Sequence, residues 1–178
     1  VFFATARTTQ QRIAVETLQA MAREGMPLKA VQIRARDKTC LNEVVACRPE
    51  CCRFARGHHD RVEQSHLQDL LWAEKDGVWS VPAPDEVEEL AAQHVVCPFA
   101  LTMELVGRAD VVIGDYNYAF DPLRRLSALA DAPEEWIIIV DEAHNLPDRA
   151  MGYGSPAVPA DMVAAAIEGL LDRPDYAA

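Results

Sequence analysis

The sequence places two carboxylates and a histidine directly after a short apolar run. Residues 136–140 read Trp-Ile-Ile-Ile-Val, and Asp141, Glu142 and His144 follow. In open α/β sheets, ligands bind beyond the carboxyl ends of the strands. One carboxylate there can hold Mg²⁺ while a second orients an attacking water, a division of labour that suits nucleotide hydrolysis. The alternative is that these acids only cap the helix that follows.

Cysteines form a second group of chemistry-bearing residues. Of the five, four are spaced C-x6-C-x4-C-x44-C, at Cys40, Cys47, Cys52 and Cys97. An odd count on a chain without a secretion signal argues against a disulfide framework, and the short Cys-x2-Cys pairs of zinc ribbons do not occur. Iron–sulfur clusters accept thiolates at more varied spacing. Zinc with four cysteines, or a site that uses His58 or His59, is the alternative.

Positive charge is concentrated around the same cysteines. The chain has a net charge of −11, yet residues 1–61 hold eleven of the 17 Lys and Arg and only six of the 28 acids. The basic residues near the cysteines are Lys29, Arg34, Arg36, Lys38, Arg48, Arg53, Arg56 and Arg61. A basic groove can follow the phosphates of a single strand while aromatic rings stack on its bases. Phe54, Tyr116 and Tyr118 are candidates for stacking; the alternative is a solvated charged face with these rings in the core.

Hydrophobic periodicity predicts strands that alternate with helices. Strands are predicted at 1–5, 28–34, 109–113 and 136–140, the last two buried on both faces. Helices are predicted at 8–25, 67–72, 85–93, 98–107 and 161–171. The first should start with a capping box between Thr8 and Gln11, and the third with Asp85 as its N-cap. Residues 35–66 lack a clean period, so the pattern predicts an α/β layer architecture with an irregular segment.

Several motifs occur together in a fixed order. They are Thr5-Ala-Arg7-Thr8, Arg36-Asp-Lys-Thr-Cys40, Cys47-Arg-Pro-Glu-Cys-Cys52-Arg, His94-Val-Val-Cys97-Pro-Phe, Asp115-Tyr-Asn-Tyr-Ala-Phe-Asp-Pro122 and Asp141-Glu-Ala-His-Asn145. Over residues 2–150 the chain therefore resembles the XPD/DinG family of superfamily 2 iron–sulfur DNA helicases. The resemblance implies an α/β fold, namely part of a RecA-like P-loop ATPase parallel sheet with an inserted, mostly helical or irregular cluster domain.

The resemblance also implies a role for each motif. Asp141 would bind Mg²⁺ through water, Glu142 would activate the attacking water, and His144 would couple the nucleotide state to nucleic-acid contacts. The ligands of a [4Fe–4S] cluster would be Cys40, Cys47, Cys52 and Cys97. The adjacent Cys51 is an alternative to Cys52, which we favour. Residues implied in DNA contact are Thr5, Arg7, Thr8, Arg36, Lys38 and Arg53.

Four segments follow from the same resemblance. They are a motor segment with motif Ia (1–33), the cluster insertion (34–108), a motor segment with the DEAH box (109–150) and the start of an arch insertion (151–178). The phosphate-binding pattern G-x-x-x-x-G-K-[ST] does not occur in the sequence. The resemblance therefore implies a piece of an ATP-dependent 5′-to-3′ DNA helicase that is inactive alone.

The implied cofactors are a [4Fe–4S] cluster and Mg-ATP. The implied partners are single-stranded and forked DNA, together with repair or replication proteins. Because no apolar run approaches the ~18 residues of a membrane span, we expect a cytoplasmic protein, and the resemblance suggests a bacterial one. The main alternative is a non-catalytic cysteine-cluster module, with iron–sulfur or zinc, that binds nucleic acid or protein. An iron–sulfur nuclease relative is a third hypothesis.

Overall fold

The computed structural model describes residues 1–75, 78–155 and 160–171. The chain divides into two compact units, Val1–His144 and Asn145–Ala178. The strands are β1 (Phe2–Ala4), β2 (Ala30–Gln32), β3 (Glu74–Lys75), β4 (Val78–Trp79), β5 (Val111–Gly114) and β6 (Ile138–Val140). The α-helices are α1 (Thr8–Arg23), α2 (Arg36–Thr39), α3 (His58–Gln64), α4 (Leu67–Leu71), α5 (Pro84–Gln93), α6 (Pro98–Val106), α7 (Asn117–Phe120), α8 (Ser127–Asp131), α9 (Leu146–Tyr153) and α10 (Ala160–Leu171). Short 3-10 turns occupy Pro133–Glu135 and Ala143–Asn145.

A four-stranded parallel sheet in the order β2-β5-β1-β6 forms the centre of the first unit. Ala4 of β1 lies opposite Gly114 of β5 on one side and Val140 of β6 on the other. These three strands therefore end at one level. Since parallel strands share one carboxyl edge, the residues that follow each strand meet there.

Apolar packing holds the helices and the insertion against this sheet. Helix α1 packs against β2 and β5, and α6 packs against β2 and α5. Leu101 and Leu105 of α6 are fully buried. The indole N–H of Trp72, just after α4, donates to the carbonyl of Ala30 in β2 at 3.2 Å. The predicted α/β class is confirmed: a parallel sheet is interrupted between β2 and β5 by short helices, a β3–β4 hairpin and irregular chain.

Two predicted helix caps are wrong. The N-cap of α1 is Arg7 in an extended conformation, so Thr8 is already the first helical residue. The side chain of Gln11 is not in a capping box; it accepts a hydrogen bond from Gln32 of β2 at 2.9 Å. Helix α5 begins at Pro84 rather than after Asp85, because the fixed φ of proline suits the first helical position.

The prediction that the strand after Trp136 is buried on both faces is also wrong. Ile138 and Ile139 of β6 are 40% and 47% exposed. The reason is position: β6 is an edge strand of the described sheet and pairs only with β1 there. By contrast, Val112 and Ile113 of the central β5 are 0% and 1% exposed, as predicted.

The second unit contains α9 and α10. Helix α10 covers Ala160–Leu171, close to the helix predicted at 161–171. Helix α9 runs through residue 150, where a segment boundary was predicted from the resemblance. None of the helices in the described residues combines the length and the apolar character of a membrane span.

Candidate functional site

The three residues predicted to act on a nucleotide lie in one turn beyond β6. The N–H of Asp141 donates to the carbonyl of Ala4 at 2.9 Å, which fixes the start of this turn to β1. Glu142 has a φ of +52°, a left-handed conformation that is uncommon for a residue other than glycine. Its Oε2 lies 3.2 Å from His144 Nδ1, and both side chains are accessible to solvent. Two carboxylates and an imidazole therefore meet at the sheet edge where α/β proteins bind ligands.

Tyr116 contacts the backbone of this turn from the interior of the protein. Its side chain is fully buried, and its hydroxyl contacts the backbone carbonyl of Asp141 and, at 3.0 Å, that of Glu142. Its ring packs edge-on against Phe120. The prediction that Tyr116 stacks on bases is therefore wrong, and the same holds for Phe54, which is only 4% exposed. Both rings belong to the core, and a base could not reach either face.

Four cysteines from separate parts of the chain line one small apolar cavity. They are Cys40, Cys47, Cys52 and Cys97, and Phe99 and Pro98 complete part of the wall. Cys40 follows α2, whereas Cys97 is the residue before α6. The fifth cysteine, Cys51, is exposed, and its Sγ donates to the carbonyl of Arg48 at 3.6 Å. The geometry thus groups the four cysteines that were predicted as ligands.

The surroundings of two of these thiols shift their pKa values in opposite directions. Burial raises the pKa of Cys52, but hydrogen bonds from the Ala55 backbone, the Asn42 side chain and the Phe54 backbone bring the pKa below its usual value overall. The Asn42 amide lies 3.3 Å from Cys52 Sγ. Burial raises the pKa of Cys97, and charge on Cys47 and Cys52 raises it further. Four soft sulfur donors around one cavity are the ligand set of an iron–sulfur cluster or of a four-thiolate zinc site.

The two histidines weighed as alternative ligands have another arrangement. His58 is 5% exposed, and its Nδ1 accepts the backbone N–H of Cys97 at 3.2 Å. Burial lowers the pKa of His58 more than the neighbouring Glu104 raises it, so the ring is neutral at pH 7. A neutral ring with an acceptor Nδ1 carries its proton on Nε2. That nitrogen lies 3.2 Å from Glu104 Oε1, which is also 2.6 Å from His59 Nδ1.

These three side chains are close enough for a divalent metal, since their ligand atoms lie within 4.8 Å of one another. The tautomer of His58 argues against a bound metal ion at this place. A metal-bound histidine normally donates its second ring N–H, whereas His58 accepts at that position. The arrangement is better explained as a hydrogen-bonded support that holds the backbone of Cys97 in place.

Five of the six residues predicted to contact DNA are exposed; they are Arg7, Thr8, Arg36, Lys38 and Arg53. Thr5 is the exception: it is fully buried, and its hydroxyl donates to Gln10 Oε1 at 2.7 Å. That bond places Thr5 in support of the loop before α1. The guanidinium of Arg36 lies 4.7 Å from the ring centre of Phe99, and that of Arg53 lies 4.6 Å from the ring of Phe54.

Two neighbouring grooves bring most of these exposed residues together. Arg36 and Arg125 line a groove of about 780 Å³, while Thr8 and Lys38 line one of about 920 Å³. Tyr118 and Arg124 line both, among other residues. The charge density around Cys40–Cys52 did not identify Arg124 and Arg125, because these arginines lie some 70 residues beyond Cys52 in the chain. The motif that contains Asp115 and Pro122 was the only local signal for them.

Comparison with known proteins agrees with this geometry. The DEAD_2 family matches residues 4–162. The chain is 27% identical to the Fanconi anemia group J protein homolog of Gallus gallus, over 96% of this chain and 14% of that protein. It is 28% identical to the Regulator of telomere elongation helicase 1 homolog of Anopheles gambiae, over 79% and 15%. It is 24% identical to the General transcription and DNA repair factor IIH helicase subunit XPD of Dictyostelium discoideum, over 78% and 16%.

The chain spans about a seventh of the length of these relatives. All three come from eukaryotes, and the expected bacterial origin stays a prediction. The family match covers the sheet, the cysteine cavity and the turn after β6 in a single alignment. The chain therefore belongs to the DEAD_2 family, that is, to the XPD/DinG family of iron–sulfur DNA helicases.

Proposed function

We propose that this chain is part of an ATP-dependent DNA helicase that moves 5′ to 3′ on single-stranded DNA and unwinds duplexes. The observation that carries the proposal is the placement of the Asp141–Glu142–His144 turn at the carboxyl edge of a parallel sheet. A second supporting observation is the cavity lined by four cysteines in the insertion between β2 and β5. The names of the relatives, which include helicases, support the same class.

At the nucleotide site, the two carboxylates take different roles. Asp141 follows β6 directly and binds the Mg²⁺ of the substrate Mg-ATP through water. Glu142 is the side chain next to it and orients the attacking water. The imidazole of His144 lies 3.2 Å from the carboxylate of Glu142 and couples the nucleotide state to the nucleic-acid contacts.

In the insertion, Cys40, Cys47, Cys52 and Cys97 hold a [4Fe–4S] cluster. When bound, the cluster supplies a compact cross-link between segments that otherwise share few buried side chains, together with a redox-active centre. The surrounding protein excludes water through Phe99 and donates to Cys52 through Asn42. Such donors stabilise the thiolate form that a cluster requires.

Single-stranded DNA runs along the two grooves that meet at Tyr118 and Arg124. Arg36 and Lys38 neutralise phosphates, and Arg7 and Thr8 contact the backbone near the sheet edge. Tyr118 is half-buried and offers a ring for stacking. The DNA path therefore lies between the insertion and the segment that follows β5.

The test uses the whole protein, purified anaerobically. We expect about four irons per chain with broad absorption near ~400 nm, ATP hydrolysis stimulated by single-stranded DNA, and unwinding of a fork with a 5′ tail but not of one with only a 3′ tail. Glu142→Gln should abolish hydrolysis and keep ATP binding. The matched control is Glu135→Gln, an exposed carboxylate before β6 at the opposite edge of the sheet, which should leave turnover unchanged.

Different outcomes would contradict different parts of the proposal. Full turnover in Glu142→Gln would remove Glu142 from its role. Stoichiometric zinc without iron would replace the cluster with a zinc site. Unwinding only from 3′ tails would reverse the polarity, and DNA binding without any hydrolysis would favour a non-catalytic module.

A further inference from the structure

The turn that carries Glu142 needs support from outside itself. At a φ of +52°, a residue with a Cβ is crowded against its own backbone, which makes this conformation unfavourable. Such a conformation persists only where neighbouring structure fixes it. Contacts to the backbone of the turn act on this conformation directly, because φ and ψ are rotations of the backbone.

Tyr116 acts at the right place to give this support. The carbonyls of Asp141 and Glu142 stand on either side of the φ and ψ bonds of Glu142. One hydroxyl can contact both oxygens only when those two bonds have a narrow range of values. The hydroxyl of Tyr116 makes both contacts, and its fully buried ring leaves it little freedom to move.

The position of Tyr116 in the chain also relates this contact to the cysteine cavity. Cys97 immediately precedes α6, α6 leads into β5, and Tyr116 lies two residues beyond β5. The segment that follows Cys97 therefore leads through α6 and β5 to the turn of Glu142. The hydroxyl of Tyr116 contacts the backbone of that turn.

We infer that Tyr116 is a positioning residue for ATP hydrolysis, which holds Glu142 in the orientation needed to direct the attacking water. The inference rests on the proposed function. It assigns Tyr116 no contact with the nucleotide. Its loss should therefore lower the rate of hydrolysis while leaving the affinity for ATP unchanged, because only the alignment of Glu142 is relaxed.

The test compares Tyr116→Phe with Val31→Ala in the whole protein. Phenylalanine keeps the buried ring and removes only the hydroxyl. Val31 is 2% exposed in β2, at the opposite side of the sheet from β6, so its truncation weakens the core without touching the turn. We expect Tyr116→Phe to lower kcat about tenfold or more with KM for ATP within about twofold, and Val31→Ala to leave both unchanged.

Hydrogen exchange gives a readout that does not depend on hydrolysis. Amides at 141–145 should exchange faster in Tyr116→Phe than in the unchanged protein, while those of β2 should not. Unchanged kcat with unchanged exchange at 141–145 would overturn the inference and leave the proposed function standing. Faster exchange throughout the sheet would also overturn it, since the hydroxyl would then serve the whole fold. An unchanged protein without ATP hydrolysis would overturn both.

Discussion

Replacing Cys52 by serine should remove the metal, whereas the same change at Cys51 should not. Cys52 is 6% exposed and lines the cavity shared with three other cysteines, whereas Cys51 does not line it. Serine keeps the size of the side chain and can still accept from Asn42, which now donates to Sγ at 3.3 Å. Its oxygen is a hard donor that binds iron less well than a thiolate does.

The magnitude follows from how little else holds this segment. The described range 40–57 contains neither strand nor helix, and its buried apolar side chains are Cys52 and Phe54. Fixing each residue costs about 1–2 kcal/mol of backbone entropy, so two burials at about 2 kcal/mol each offset only a few residues. We therefore expect iron to fall from about four to below one per chain in Cys52→Ser.

Trypsin offers a direct assay of the same segment. Loss of the metal should expose the bonds after Arg53 and Arg56, and cleavage there should accelerate at least ~10-fold, which corresponds to ~1.4 kcal/mol of local opening. Cys51→Ser should match the unchanged protein in both iron content and cleavage. Iron retained in Cys52→Ser but lost in Cys51→Ser would reverse the ligand assignment. Equal cleavage in all three proteins would refute the idea that the metal orders this segment.

Two further predictions concern the basic grooves and the buried histidine. Arg36→Ala combined with Lys38→Ala should weaken single-strand binding and lower the slope of log affinity against log salt by about 1.4; Arg23→Ala, at the far end of α1, should not. An unchanged slope in fluorescence anisotropy would contradict this. His58→Ala should lower the free energy of unfolding in urea by about 1–3 kcal/mol, because the backbone N–H of Cys97 loses its acceptor, whereas exposed His59→Ala should cost below ~1 kcal/mol. Equal losses would contradict the supporting role assigned to His58.

Local sequence patterns predicted the elements whose environment is set by near neighbours. The apolar residues of β5 predict a central strand, and Val112 and Ile113 are buried as expected. Pro98 predicts the start of α6 correctly, because proline favours the first position of a helix. The isoleucines of β6 look the same as those of a central strand, yet their exposure depends on the place of the strand in the sheet, which short runs do not encode.

The candidate site was predictable where residue type alone limits the chemistry. Four cysteines at mixed spacing already indicated a thiolate site. The preference for Cys52 over Cys51 came from the resemblance, and the cavity, which Cys52 lines and Cys51 does not, supports that preference. The role of Tyr116 could not be read from its neighbours, since its hydroxyl meets a turn 25 residues away. Its ring suggested stacking, whereas its polar end determines its contacts.

The order of strands in the sheet has a consequence for how the protein assembles. Strands β2 and β5 are paired neighbours, yet residues 33–110 separate them in the chain. Closing a loose loop of that length lowers the chain entropy before the hydrogen bonds of the β2–β5 pair stabilise the sheet. A preformed insertion brings its two ends together and shortens the effective loop. We therefore expect the speed at which the sheet forms to depend on how early the cysteine-rich segment becomes compact. If the proposed cluster is what makes this segment compact, iron supply would act on folding as well as on the finished protein.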